Sequence, residues 1–420
     1  RRPHPFFKLL ILIPFMSKEI HIENRFIIIV VVMLAAVALT SVIFPNANRT
    51  LFILAASFVE LIVLFTTFKK ISLSPLLIIF FINSLLMMSV GWILGIDMNY
   101  LDYINQIIKL IMVALLYLAV KPCNVKKENL IKFAQYMVWL VWIACVYNLI
   151  ANRSMINTNM LYMNAYDMSF KSFFYNRNQF GMFLVVGLFY VQVYFRKTTW
   201  VKVITNIMIA FNIIITMSRG SMISAIVFFL LYDLFSKSIT LKKIFSRFIF
   251  VLVSIVIVLL LFKIRGLAGF VENNLVRTEN GLTGRDSIWL LGLRIAWQNN
   301  ILNGTGLFTG VDIAHMNGMT QDQFHSLYID SVVEGGIIGL VCVLYIYINV
   351  LKKCRMKIKE KSLRAACVAM MISVLVMGAN ESVSFFSIGW VDTFFTISCI
   401  SYPLLMANCF IVDEQKKCRS

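Results

Sequence analysis

Four short stretches carry the groups in this chain that could bind an anion or move a proton. FFYNRNQFG (173–181) sets Arg177 between Asn176 and Asn178, just ahead of an apolar run. That places guanidinium and amide donors at a helix start, where free backbone N–H groups already favour negative charge. An equally good reading has one asparagine capping the helix while Arg177 rests among lipid headgroups. TMSRGSM (216–222) holds Arg219 between two apolar runs, with Gly220 allowing a tight turn and Ser218 and Ser221 offering hydroxyl donors. Ordinary interfacial snorkelling is the simpler alternative for Arg219. ENGLTGRDSIWLLGLRIAWQNN (279–300) reads as a helix over about 284–299, capped by Thr283 with Asp286 completing a box-like start. Arg285 then lies in the positive first turn, whereas Arg294, nine residues on, is about 900° further around and faces the other way. Arg285 is therefore the better anion ligand, and Arg294 is expected to reach headgroups or a carboxylate. FHSLYIDSVVEGGIIGL (324–340) places His325, which titrates near neutral pH, where a loop enters an apolar run. A continuous helix there would set residues 325, 328 or 329, and 332 on one face, with Glu334 opposite. Gly335, Gly336 and Gly339 allow close packing.

These groups must be positioned by helices in a bilayer. The 420 residues are 60% hydrophobic, with a mean hydropathy of +0.82. Apolar runs long enough to cross ~30 Å of hydrocarbon recur throughout. The expected fold is all-α: a polytopic membrane protein with about twelve spans, GT-C-like, with one large external loop containing short helices. The spans are expected at 26–44, 51–68, 76–96, 104–120, 131–151, 179–195, 200–216, 220–235, 246–264, 326–350, 365–383 and 391–412. The seventh and eighth should form a tight hairpin. One membrane domain (26–412) thus contains the external loop 265–325, between a cytoplasmic N-terminal segment (1–25) and a cytoplasmic tail (413–420). No internal repeat is visible, which counts against a transporter built from duplicated halves.

The net charge of +19 does not point to nucleic acid, because the basic residues sit in short connections beside spans. Of the 39 lysines and arginines, 28 fall on the side of the N-terminus and ten on the other. This puts both termini in the cytoplasm. Nine of those ten cluster in 152–178, 217–220 and 263–325, so positive charge kept outside suggests an anionic partner. Eight cysteines without a CxxC pair suggest neither a disulfide framework nor a zinc site. Glu60 and Lys109 lie within spans and are expected to pair. Glu381 and Asp392, near the last external turn, are acidic candidates close to the arginines.

SRG in a short turn, GR before a tryptophan-bearing helix, NGTG, then HSLY and EGGIIG follow in that order. Over about residues 176–340 the chain resembles the O-antigen ligase/polymerase family, the Wzy-type polymerases and lipopolysaccharide ligases of bacterial envelopes. The resemblance implies a membrane glycosyltransferase that uses a glycan carried on undecaprenyl pyrophosphate and transfers its reducing end to an acceptor hydroxyl. Carried over onto this sequence, it makes Arg219, Arg285 and His325 catalytic. Arg177, Asn178, Arg277, Arg294 and Tyr328 are then substrate contacts. Arginine suits a pyrophosphate leaving group because its planar fork binds phosphate oxygens and keeps its charge. No DxD cluster stands on the outer side, so arginine is expected to replace a metal, and no cofactor is implied. Histidine would serve as base or orienter for the acceptor. The implied partners are lipid-linked repeat units, membrane lipids, a chain-length regulator and a flippase. The ligase pattern commonly has Asn after the histidine; Ser326 stands here, which favours a polymerase. A ligase remains the nearest alternative and a lipid-linked oligosaccharide flippase the next. A peptidoglycan polymerase would need a loop carboxylate, and Asp312 and Asp322 lack a convincing setting.

Overall fold

The computed structural model describes residues 22–45, 126–155, 170–197, 199–236, 284–306, 310–321, 323–382 and 391–417, with a few isolated positions between 52 and 82. All regular elements among them are helical. Helix α1 (Ile22–Ala38) runs on through a π turn, and α2 spans Lys127–Ala151. Then come α3 (Arg177–Tyr194), α4 (Trp200–Ile215) and α5 (Arg219–Ser236). Two shorter helices, α6 (Arg285–Asn299) and α7 (Gly310–Met316), precede α8 (Leu327–Lys357) and α9 (Lys361–Gly378). The described chain ends with α10 (Val391–Thr396), a π turn and α11 (Tyr402–Lys417). Apart from those isolated positions, the expected spans at 51–68, 76–96, 104–120 and 246–264 lie outside the described residues, as do Glu60, Lys109 and Arg277. The other eight each fall on a helix. Five described helices are long and apolar enough to cross a membrane: Phe26–Ile43, Lys127–Ala151, Arg219–Ser236, Leu327–Lys357 and Lys361–Gly378.

Exposure shows which helix faces are apolar and left uncovered by the described residues. On α2 the exposed large residues are Tyr136, Trp139, Ile143, Val146 and Ile150, spaced three or four apart as one helical stripe. On α4 they are Trp200, Ile204, Ile207, Phe211 and Ile214, while Thr205 and Asn212 of the same helix are buried. Polar groups inside and apolar groups outside reverse the pattern of a water-soluble helix, and they fit an integral membrane protein. The inward polar groups are satisfied: Asn148 donates to Asn212 at 3.0 Å, and Trp142 to Thr205 at 3.2 Å. Such pairing is required where no water competes. Helix α3 is the hub. Every residue from Phe180 to Val193 is buried, and the helix packs against α2, α4, α5 and α9. A side chain at Gly181 would lie 2.5 Å from the Ser221 hydroxyl, so glycine lets α3 and α5 approach closely.

Helix α8 is not the continuous span expected over 326–350. It breaks at Gly336, whose φ of 63° and ψ of −165° are open essentially to glycine alone. The two arms meet sharply enough that a Cβ on Gly339 would sit 3.3 Å from the Ser331 carbonyl, eight residues back. A break frees backbone groups, and in a membrane protein these must find partners. The segment 301–306, which contains NGTG, supplies them. Thr305 and Gly306 donate to the Val333 and Glu334 carbonyls at 2.8 and 2.9 Å. Ile337 and Ile338 donate to Ile301 and Leu302 at 3.0 and 3.1 Å. The NGTG and EGG motifs are therefore two sides of one joint. The first arm of α8, Leu327–Gly335, is held against α6, and that packing positions the site.

Candidate functional site

Four helix starts converge at one end of the bundle. Asn176 caps α3, its side chain accepting from the Gln179 amide at 2.9 Å. This frees Asn178 to donate to the Glu381 carboxylate at 3.2 Å and leaves Arg177 in the first helical position. Helix α5 begins at Arg219, after a turn in which Met217 takes a φ of 53°. Two expectations change here. Met217, not Gly220, carries the turn. Gly220 lies inside α5, where a Cβ would stand 3.3 Å from the Glu381 side chain, so its role is to make room. Ser218 and Ser221 hydrogen-bond each other at 3.0 Å, buried, and offer no donor to a ligand. Helix α6 begins at Arg285 after Gly284, whose φ of 74° takes the cap position in place of Thr283, which lies outside the described residues. His325 precedes α8 and is not helical; its φ is 54°. It therefore does not share a helical face with residues 328, 329 and 332. The indole of Trp289 fixes this corner by donating to the Phe324 carbonyl at 2.9 Å.

Glu381 ties these starts together. Its carboxylate accepts from the Arg285 guanidinium at 3.1 Å on one oxygen and from Asn178 on the other. Its backbone carbonyl accepts from the Leu327 amide at 3.2 Å, and Arg285 also donates to the Asn380 carbonyl. Nδ1 of His325 lies 3.9 Å from the same carboxylate, beyond hydrogen-bond reach, and is buried without a hydrogen-bond partner. Burial pushes the Glu381 carboxyl up from its ordinary range, although Arg285, Asn178 and Arg177 each pull it down. Burial, and secondarily the Arg285 charge, lower the His325 imidazole to about 4. At neutral pH the imidazole is uncharged and able to accept a proton.

Around these groups lies a cleft of about 210 Å³ lined by Arg177, Asn178, Arg219, Arg285, His325 and Glu381, with Met217, Gly220, Ile288 and Gln321 completing the wall. Among the described lining residues three guanidinium groups stand against one carboxyl, so positive charge predominates when His325 is neutral. The starts of α3, α5 and α6 add partial positive charge from their helix dipoles. Chemically this is a polyanion site with a neutral base at its edge.

Arg177, Asn178, Arg219, Arg285, His325 and Glu381, all singled out in the sequence, thus meet in one cleft. Others lie elsewhere. The Tyr328 hydroxyl donates to the Leu375 carbonyl at 3.0 Å and joins α8 to α9. Arg294 is exposed on the face of α6 turned away from Arg285. Arg277 and Asp322 lie outside the described residues, and for Asp392 only the backbone is described. Gln321, Met217 and Ile288 had no sequence signal beyond lying near the motifs. The six described cysteines (145, 342, 354, 367, 399 and 409) are buried thiols.

No curated protein matches the chain. Residues 204–344 match the family model described as O-Antigen ligase, a stretch that contains Arg219, Arg285 and His325 but neither Arg177 nor Glu381. By this match, over a third of its length, the chain is similar to the O-antigen ligase family, which supports the resemblance to the O-antigen ligase/polymerase family.

Proposed function

We propose that the protein is a cell-envelope polysaccharide polymerase. It transfers a glycan from undecaprenyl pyrophosphate to a hydroxyl of a second lipid-linked repeat unit, on the outer face of the cytoplasmic membrane. The observation that carries this reading is the convergence of Arg177, Arg219 and Arg285 with a neutral His325 on one cleft. In the reaction the acceptor oxygen bonds to the anomeric carbon while the carbon–oxygen bond to the pyrophosphate breaks. The bound pyrophosphate diester carries two negative charges, and a third develops on the oxygen released to undecaprenyl pyrophosphate as the bond breaks; the arginines of the cleft neutralise that charge. Each charge-assisted hydrogen bond from an arginine contributes about 1.5–3 kcal/mol. These contacts accelerate the reaction insofar as they strengthen while charge develops on the leaving oxygen. The uncharged His325 accepts the proton of the attacking hydroxyl. Glu381, 3.9 Å from Nδ1, then stabilises the imidazolium by its charge, while holding Arg285 by the opposite oxygen.

A second reading, a ligase acting on a different acceptor, draws support from the description of the matched family; Ser326 after the histidine favours the polymerase. The two separate in one experiment. Purified protein in liposomes is incubated with lipid-linked repeat units alone. A ladder of polymer is the expected result. A ladder absent until a second acceptor lipid or protein is added identifies a ligase, and product in neither case sends the reading to transport.

A further inference from the structure

Helix α6 has two apolar faces, and the described residues cover only one. Ile288, Gly292, Ile295 and Ala296 are buried, packed so closely on α8 that a Cβ at Gly292 would come within 2.7 Å of Ile329. The opposite face carries Leu290, Leu293 and Trp297, spaced as one helical stripe and exposed by 66%, 43% and 76%. A water-facing helix at the mouth of a polar cleft would carry polar residues there. Large apolar side chains grouped on one exposed face mark a surface that something covers.

The position of the stripe identifies what covers it. Beyond α6 the chain is stitched to the break in α8, where Ile337 and Ile338 donate to Ile301 and Leu302. Leu302 is 58% exposed, and Ile337 beside it 46%. Below the break the exposed apolar series continues as Val341, Tyr345 and Ile348, the lipid-facing side of the membrane-crossing arm. The exposed face of α6 is therefore continuous, through Leu302 and Ile337, with the exposed apolar face of a helix long and apolar enough to cross a membrane. Arg294 and Trp297, neighbours on that face, are the residue types that settle at headgroup level.

We propose that α6 is an interfacial helix, seated in the leaflet on the His325 side with Leu290, Leu293 and Trp297 among the acyl chains. The cleft at Arg285 then opens at the lipid–water boundary, so a headgroup can reach it by lateral diffusion without its lipid leaving the bilayer. The inference rests on α6 and its continuity with α8, not on the reaction assigned to the cleft.

The test uses the full-length protein in liposomes, with bimane attached at L293C or W297C and at T320C as a water-facing reference. The signal of the wild-type chain, whose described cysteines are buried, is subtracted. Because Leu293, Trp297 and Thr320 are all exposed, the substitutions leave the core intact. Nitroxides on the lipid acyl chains are expected to quench the labels at 293 and 297 several-fold more than the label at 320, and aqueous iodide to show the reverse. Equal iodide quenching at all three sites would overturn the proposal. So would protection from both quenchers, which places another part of the chain over the stripe, or an L293C–L293C cross-link, which places a second copy there.

Discussion

The joint between NGTG and EGG makes the adjacent glycines 335 and 336 unequal, and this can be measured. An alanine at 336 must adopt a backbone conformation open essentially to glycine, at a cost of about 1–3 kcal/mol. Its Cβ would also lie 2.1 Å from the Leu302 carbonyl oxygen; ordinary contact begins near 3.4 Å, so Leu302 must retreat by about 1.3 Å. That retreat breaks the bonds from Ile337 and Ile338, each contributing a net of about 1 kcal/mol. Together the predicted loss is about 3–5 kcal/mol. Gly335 has helical angles and nothing within 4 Å of an added Cβ, so alanine there is expected to stabilise by up to about 1 kcal/mol. The assay is the temperature at which each purified variant loses its monodisperse gel-filtration peak in one detergent, with polymer yield measured in parallel. G336A should melt well below wild type and lose product, because the first arm of α8 carries His325. G335A should match or exceed wild type. If G336A were as stable and active as G335A, the broken helix and its stitching would be wrong.

Other predictions concern the cleft. R285K keeps the charge but loses the fork that spans Glu381 and Asn380; the loss of one charge-assisted hydrogen bond, about 1.5–3 kcal/mol, predicts a fall of about 10- to 150-fold in kcat/KM. An unchanged R285K would mean that charge alone suffices there. E381Q leaves Arg285 without its counter-ion; with the guanidinium side chain 17% exposed, the destabilisation should be about 2–4 kcal/mol, seen as a lowered melting temperature. The pH profile follows from His325. Its pKa is lowered to about 4 in the folded protein, so the base stays neutral through mild acid. The acid limb of kcat/KM should centre near 4 and not near the ordinary histidine value. The histidine's contribution to stability is complete above about pH 6.5 and declines as pH falls towards 4, since the unfolded chain takes up the proton first. An acid limb centred near 6.5 would remove His325 from its role.

Much of the site was legible because its residues stand out against apolar surroundings. An arginine at the start of an apolar run is visible without a structure, and Arg177, Arg219 and Arg285 do stand at helix starts around one cleft. The apolar helices were legible for a similar reason, since length and hydropathy are local properties. What the sequence concealed depends on contacts between distant segments. Gly220 looked like a turn residue because the Glu381 side chain it accommodates lies more than 150 residues away. The break at Gly336 has no local signature beyond a pair of glycines; it is stable because a segment about 30 residues earlier satisfies its backbone. Without that partner, His325 reads as part of a continuous helix. Tyr328 looked like a ligand contact through its proximity to the histidine, yet its hydroxyl is used by the Leu375 carbonyl. Glu381 was recognisable as an acid near arginines, but its role in holding Arg285 and Asn178 depends on a contact between α3, α6 and the end of α9.

The central claim is that one cleft, built by Arg285, Arg219 and His325, performs glycosyl transfer. The most direct measurement compares polymer formed from lipid-linked repeat units by liposomes containing wild type, R285A, H325A or R294A, each at matched protein level and equal gel-filtration quality. R285A and H325A should yield no ladder, and R294A, whose side chain is exposed on the far face of α6, should yield the wild-type ladder. Wild-type polymer from R285A or H325A, in protein that folds normally, would contradict the account.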